Sequence, residues 1–170
     1  MIRLVTPSNA ATVLPLATLK AHLRIDHADE DALLGIYAAA AVRAIETRTG
    51  RSLGPATYQM TLAAAPAAID IGVANVIGID ALKIVDADGV EQTVPSGDIL
   101  LRAGEYGAVI EPAPGATWPV AGQVWNAVEI TFTAGYQTVP QDILFALLLT
   151  ATAMHRERGE AEVPAGACNL

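Results

Sequence analysis

Cysteine is all but absent from this chain. Among its 170 residues the sole cysteine is Cys168, so no intrachain disulfide can form and a reducing compartment suits it. Aromatic residues are scarce as well, at 5% of a chain that is 52% hydrophobic. Alanine supplies much of that apolar content and buries little surface per residue, so leucine and isoleucine must form the core. Long apolar runs are missing: the longest, Ile143 to Met154, has 12 residues, against the about 20 a membrane-spanning helix needs. The opening MIRLVTPSNA has neither the charged nor the apolar region of a secretory leader, so none is expected.

Positive charge is in short supply too. Ten Lys/Arg face 18 Asp/Glu, for a net charge of -8. The imbalance is local: residues 1–53 sum to +1, residues 54–138 to -7 and residues 139–170 to -2. A surface that grips nucleic-acid phosphates needs clustered Lys/Arg, and this middle region would repel DNA instead. Motifs of chemistry are absent: there is no G-x-S-x-G, C-x-x-C, P-loop or G-x-G-x-x-G. No repeat recurs at a period of 20 to 50 residues, which excludes a solenoid.

What is present is a clear alternation of periods. Residues 1–14 show none and read as an extended N-terminal arm. Leu16, Leu19 and Leu23 recur at helical spacing, predicting a helix over 16–25. A longer helix is expected over 29–49, with Asp29, Glu30 and Asp31 in its first turn, Arg43 and Arg48 towards its end and Gly50 at its C-cap. Its expected apolar face is Leu33, Ile36, Tyr37, Ala40, Ala41, Ala44 and Ile45. From Ser52 the period becomes two, with strands expected at 57–62, 68–71, 76–85, 90–94, 98–101, 109–111 and 128–133. Asp86-Ala87-Asp88-Gly89 reads as a hairpin turn and Gly104-Glu105-Tyr106-Gly107 as another turn. Trp118 and Trp125 flank the end of a Pro/Gly-rich loop and are expected to anchor it. The last helix is expected over 139–158, opened by Pro140 and closed by Gly159. Glu160 to Leu170 reads as a flexible tail.

The resulting fold class is α+β: a small bundle of helices with a β-rich central insertion over 54–134, in one domain. The last helix is the anomaly. Ile143, Leu144, Phe145, Leu147, Leu148 and Leu149 cover its circumference, whereas packing on one layer needs a single stripe. Such a helix is expected to be buried on more than one side, one of them against another subunit. Candidate core or subunit-interface residues are Leu144, Leu147, Leu148, Ala151, Tyr37 and Ala41.

Candidate chemistry stays thin. His22, His27 and the acids from Asp26 to Asp31 lack the central glycine of a hard-cation loop, and read as a helix-capping cluster rather than a metal site. His155, beside Arg156 and Arg158, suits a charge-dipole role at a helix C-terminus. No cofactor, metal or catalytic residue is expected. A different class, a small enzyme or ligand-binding domain with an acidic cleft, stays open on composition alone.

Two segments carry a resemblance. The first runs LATLKAHLRID from Leu16 to Asp26, then DEDALL from Asp29 to Leu34, then AVRAIETRTGRSL from Ala41 to Leu53. The second runs VEITFTAGY from Val128 to Tyr136, then Val139-Pro140, Ile143 and Leu147 to Arg158. In order and spacing they resemble the head-tail connector (adaptor) family of long-tailed bacteriophages, which also has members in phage-derived gene transfer agents. The resemblance implies a non-enzymatic virion-assembly protein: a homo-oligomeric ring of twelve copies, monomeric before assembly, docked beneath the portal. Such a ring extends the DNA channel without gripping DNA and offers a surface to a stopper or tail completion protein. It implies a place in the particle neck, after assembly in the host cytoplasm, with no membrane partner. It also implies a C-terminal segment that reaches the portal, here the stretch holding Pro164, Cys168 and Leu170. A tail-terminator-like ring protein of the same particle is a further alternative.

Overall fold

The chain folds into strands and helices that a computed structural model describes for residues 1–104, 106–122 and 124–157. The described residues divide into two compact units: residues 1–7 with 55–135, and residues 8–54 with 136–157. The chain is thus β, then helical, then β, then helical along its length.

The β unit holds two antiparallel sheets. Strands β1 (Ile2–Thr6), β2 (Ala56–Leu62), β4 (Val76–Val85), β5 (Glu91–Val94) and β8 (Val128–Ala134) form a five-stranded sheet in the order β1-β2-β8-β4-β5. Strands β3 (Ile69–Ile71), β6 (Ile99–Ala103) and β7 (Ala108–Pro112) form a smaller one in the order β3-β7-β6. Period-two alternation decides the faces. On β8, Val128, Ile130, Phe132 and Ala134 are buried while Glu129, Thr131 and Thr133 lie on the other face. The buried set meets Met60, Leu82, Ile84, Ile69, Ile71 and Ile110 in one apolar core. Phe132 stacks on its cross-strand neighbour Tyr58 at 5.5 Å, a pair type that adds roughly 0.5–1.5 kcal/mol beyond burial.

Seven of these strands match the expected ones within a residue or two; the eighth corrects the reading of residues 1–14. Ile2–Thr6 is an edge strand paired antiparallel with β2, not an arm, and Ala10–Val13 forms a first short helix, α1, capped by the Asn9 side chain. Only one β1 residue is even half-buried, so the period that marks a strand is nearly invisible there.

The helical unit adds α2 (Leu16–Leu23), α3 (Asp31–Thr49) and α4 (Gln141–Glu157). Its core comprises Val13, Leu14, Leu19, Leu34, Ala38, Ala41, Val42, Ile45, Leu53, Ile143, Ala146, Leu147 and Ala151. The α3 face differs from the expected one. Leu34, Ala38, Ala41, Val42 and Ile45 point inward, whereas Leu33, Ile36 and Ala40 face out. Four consecutive alanines, Ala38 to Ala41, gave no directional signal, because small residues fit either face.

Candidate assembly surfaces

The segment that closes α3 is built around a buried carboxylate. Gly50 takes the left-handed conformation at φ 66° and its N–H donates to the Glu46 carbonyl at 2.9 Å, a position where a Cβ would be strained. The Thr49 hydroxyl donates to the Ile45 carbonyl at 2.8 Å. The chain then doubles back. Glu46, only 8% exposed, accepts the Ser8 hydroxyl at 2.6 Å and the Leu53 N–H at 2.9 Å, both on Oε1. Gly54 follows, where a Cβ would come within 2.7 Å of Val13 Cγ2. Glu46, Thr49, Gly50 and Leu53 therefore form a latch that fixes where the chain leaves the helical unit.

The six candidate interface residues fall together. Ala41, Leu147 and Ala151 are buried in the helical core, and Tyr37, Leu144 and Leu148 pack partly buried against it. The surplus of α4 is thus largely absorbed within the helical unit. What remains outside is Phe145, 57% exposed, with Ile36 of α3 at 63% and Leu33. Pro164, Cys168 and Leu170 lie outside the described residues.

His155 has a partner that sequence proximity could not reveal. Its Nε2 lies 3.2 Å from Glu30 Oε2, and its ring meets Tyr37 edge-on with centroids 6.0 Å apart. The acid is 125 residues away in sequence. Its role is therefore to tie the end of α4 to the start of α3, in addition to any favourable interaction with the helix terminus. The acidic cluster behaves structurally too: Asp31 pairs with Lys20, and His27 lies 3.7 Å from Asp29. Among the described residues no three His, Cys, Asp or Glu gather as metal ligands.

Clefts among the described residues include two open ones. One, of about 300 Å³, lies in the helical unit between Ile45, Arg48, Thr49, Arg51, Leu53, Tyr136 and Ile143. The other, of about 210 Å³, lies in the β unit between Met1, Arg3, Gln59, Thr61, Trp125 and Asn126. Neither is lined by a carboxylate, so neither supplies the paired acids that an acidic-cleft enzyme requires. Trp118 does anchor its loop, donating its indole N–H to the Pro66 carbonyl at 3.0 Å. Trp125 does not: it is 75% exposed, on the rim of the second cleft.

The β4–β5 hairpin forms as its Asp-Gly sequence predicts. Gly89 sits at φ 78°, and Asp86 Oδ1 accepts the N–H groups of Asp88 and Val90, each at 3.0 Å. The bond from Val90, with the Gln92 amide on Oδ2, holds the Asp86 carboxyl below its ordinary pKa. On the neighbouring face Lys83 pairs with Glu91 at 2.9 Å, and that bond raises the lysine pKa. Ile2, on β1, and Val90, the residue just before β5, are 39% and 56% exposed.

Comparison with known proteins gives this scaffold its context. Residues 14–83 match the family described as "Phage gp6-like head-tail connector protein". A chain in the neck of an empty gene transfer agent particle, computed with C6 symmetry, is 31% identical with TM-score 0.75; the match covers 97% of this chain and 88% of that one. A chain in the virion of the native particle is 32% identical with TM-score 0.74, covering 96% and 88%. A chain in the neck of the native particle, computed with C12 symmetry, is 32% identical with TM-score 0.73, covering 98% and 90%. No curated protein sequence matches the chain.

Proposed function

Because this chain belongs to the head-tail connector family of phages and gene transfer agents, we propose that it forms the ring that joins the capsid portal to the tail. A structural connector role follows from the family; the ring, its partners and its geometry are our reading. One observation carries it: nearly the whole chain aligns, at 31–32% identity, with chains of gene-transfer-agent necks. Twelve copies are the natural ring size, given the C12 symmetry of one matched neck. In this ring each subunit meets its neighbours through two different patches, as a closing heterologous interface requires. Exposed Ile36 and Phe145 offer apolar surface for such contacts.

The ring sits below the portal, continues the DNA channel and presents its far side to a stopper or tail completion protein. The -7 of residues 54–138 suits a channel wall that must let DNA slide. Residues 159–170, with Pro164, Cys168 and Leu170, are the segment we assign to portal contact. Assembly takes place in the host cytoplasm, from free subunits.

The test is co-purification with the portal protein of the same particle, using the full chain and a chain ending at residue 158. The full chain is expected to be retained and the shortened one lost. Failure of the full chain to bind, together with particles that mature without it, overturns the proposal.

A further inference from the structure

We propose that β1 of one copy pairs in parallel with β5 of the next, so that the five-stranded sheet runs on from subunit to subunit. This inference rests on the ring reading above and adds to it which surfaces meet. The strand order leaves β1 and β5 at opposite edges of one sheet, and among the described residues no strand covers the far side of either. Open edges invite pairing, and soluble proteins usually blunt them with lysine, proline or a bulge. β1 has its irregularity only past Leu4, and neither lysine nor proline within its span.

The ladder shows which backbone groups are open. Met1 and Thr61 exchange hydrogen bonds at 2.8 and 2.9 Å. In an antiparallel pair the alternate residues, here Ile2 and Leu4, therefore turn their N–H and C=O groups away from β2. At the other edge, Asp86 N–H donates to the Val90 carbonyl, while Val85 N–H donates to Ala127 on the β8 side. The open groups of β5 accordingly belong to Glu91 and Thr93.

Direction follows from strand count. In an antiparallel sheet of five strands the two edge strands run the same way. A twelvefold rotation turns a neighbour by about 30°, far short of the half-turn that would reverse its β1, so the two edges meet in the parallel sense. With Leu4 set opposite Gln92, the Glu91 N–H reaches the Ile2 carbonyl. The Leu4 N–H reaches the Glu91 carbonyl, and the Thr93 N–H reaches the Leu4 carbonyl. The same register brings exposed Ile2 beside exposed Val90 on one face, and Arg3 beside Glu91 on the other. An apolar pair and an opposite-charge pair at neighbouring positions are the pairings that stabilise a strand junction. The edges complement each other in charge as well: Arg3 is the charged side chain of β1, whereas Asp86, Asp88 and Glu91 gather at the start of β5 against Lys83.

The test is a cross-link in the assembled ring. A full chain carrying Ile2→Cys, Val90→Cys and Cys168→Ser is assembled with its portal protein and oxidised, and electron microscopy monitors ring formation. The expected product is a ladder of covalent multimers that neither single cysteine gives. Arg3→Glu is expected to reduce ring yield about fivefold, and adding Glu91→Arg to restore it. Intact rings without cross-links overturn the strand junction and leave the ring reading standing. Absence of any ring in the unmodified chain overturns both.

Discussion

Glu46 holds two donors in a place nearly closed to water, so its replacement tests the latch directly. Glu46→Ala leaves the Leu53 N–H and the Ser8 hydroxyl without their acceptor. The expected cost is about 2–3 kcal/mol, read as a lower urea midpoint, while Glu46→Gln, which keeps one oxygen, costs less. Gly135 has φ 127° and donates its N–H to the Asn75 carbonyl at 2.9 Å. Gly135→Val forces a branched side chain into that region and is expected to cost about 2 kcal/mol in the same assay. Asp86 makes a statement about pH. The hydrogen bonds from Val90 and Gln92 lower its folded pKa, so its stabilising effect is complete above the ordinary aspartate pKa and fades as pH falls through the folded one. Titration by carbon-detected NMR should place the Asp86 midpoint below the ordinary aspartate range. Asp86→Asn should remove this part of the acid sensitivity.

At the scale of elements, the two faces of α4 separate a fold effect from a surface effect. Leu147 is fully buried and Phe145 exposed. Leu147→Asp places an unpaired charge in the helical core and is expected to cost on the order of 3–5 kcal/mol. Phe145→Asp should leave the melting temperature nearly unchanged, within about 0.5 kcal/mol. Equal melting of the two variants contradicts the assigned orientation. Elements with a strong period were legible from residue types: α2, the core of α4, the Asp-Gly hairpin and β8 all stand where their patterns put them. β1 was not, because an exposed edge strand has little buried face to imprint a pattern. The inward face of α3 was not, because its alanines fit either side. The latch was half legible, since the spacing from Glu46 to Leu53 is in the sequence. The second donor to Glu46, Ser8, comes from 38 residues away and only the fold brings it in.

For the whole molecule, the division into two units sets a further expectation. Deleting residues 1–6 strips β1 from β2 but removes nothing from the helical core. Hydrogen exchange should then speed up at Leu82, Ile130 and Phe132 while Ala41, Ile45 and Leu147 keep their protection. Uniform loss across both sets means that the units unfold as one. The connector reading came from the family motifs and the matched chains, because the sequence carries no motif of chemistry that would mark a site.

The position of β8 has a consequence in time. It is the strand that joins β2 to β4, yet it is made after both. The helical unit likewise waits for α4. A ribosome that has translated residues 1–127 has therefore released many strands and helices but neither finished core, since long-range pairing must await its partner. Nascent chains crowded on one message therefore hold neither finished core until synthesis has passed β8 and α4.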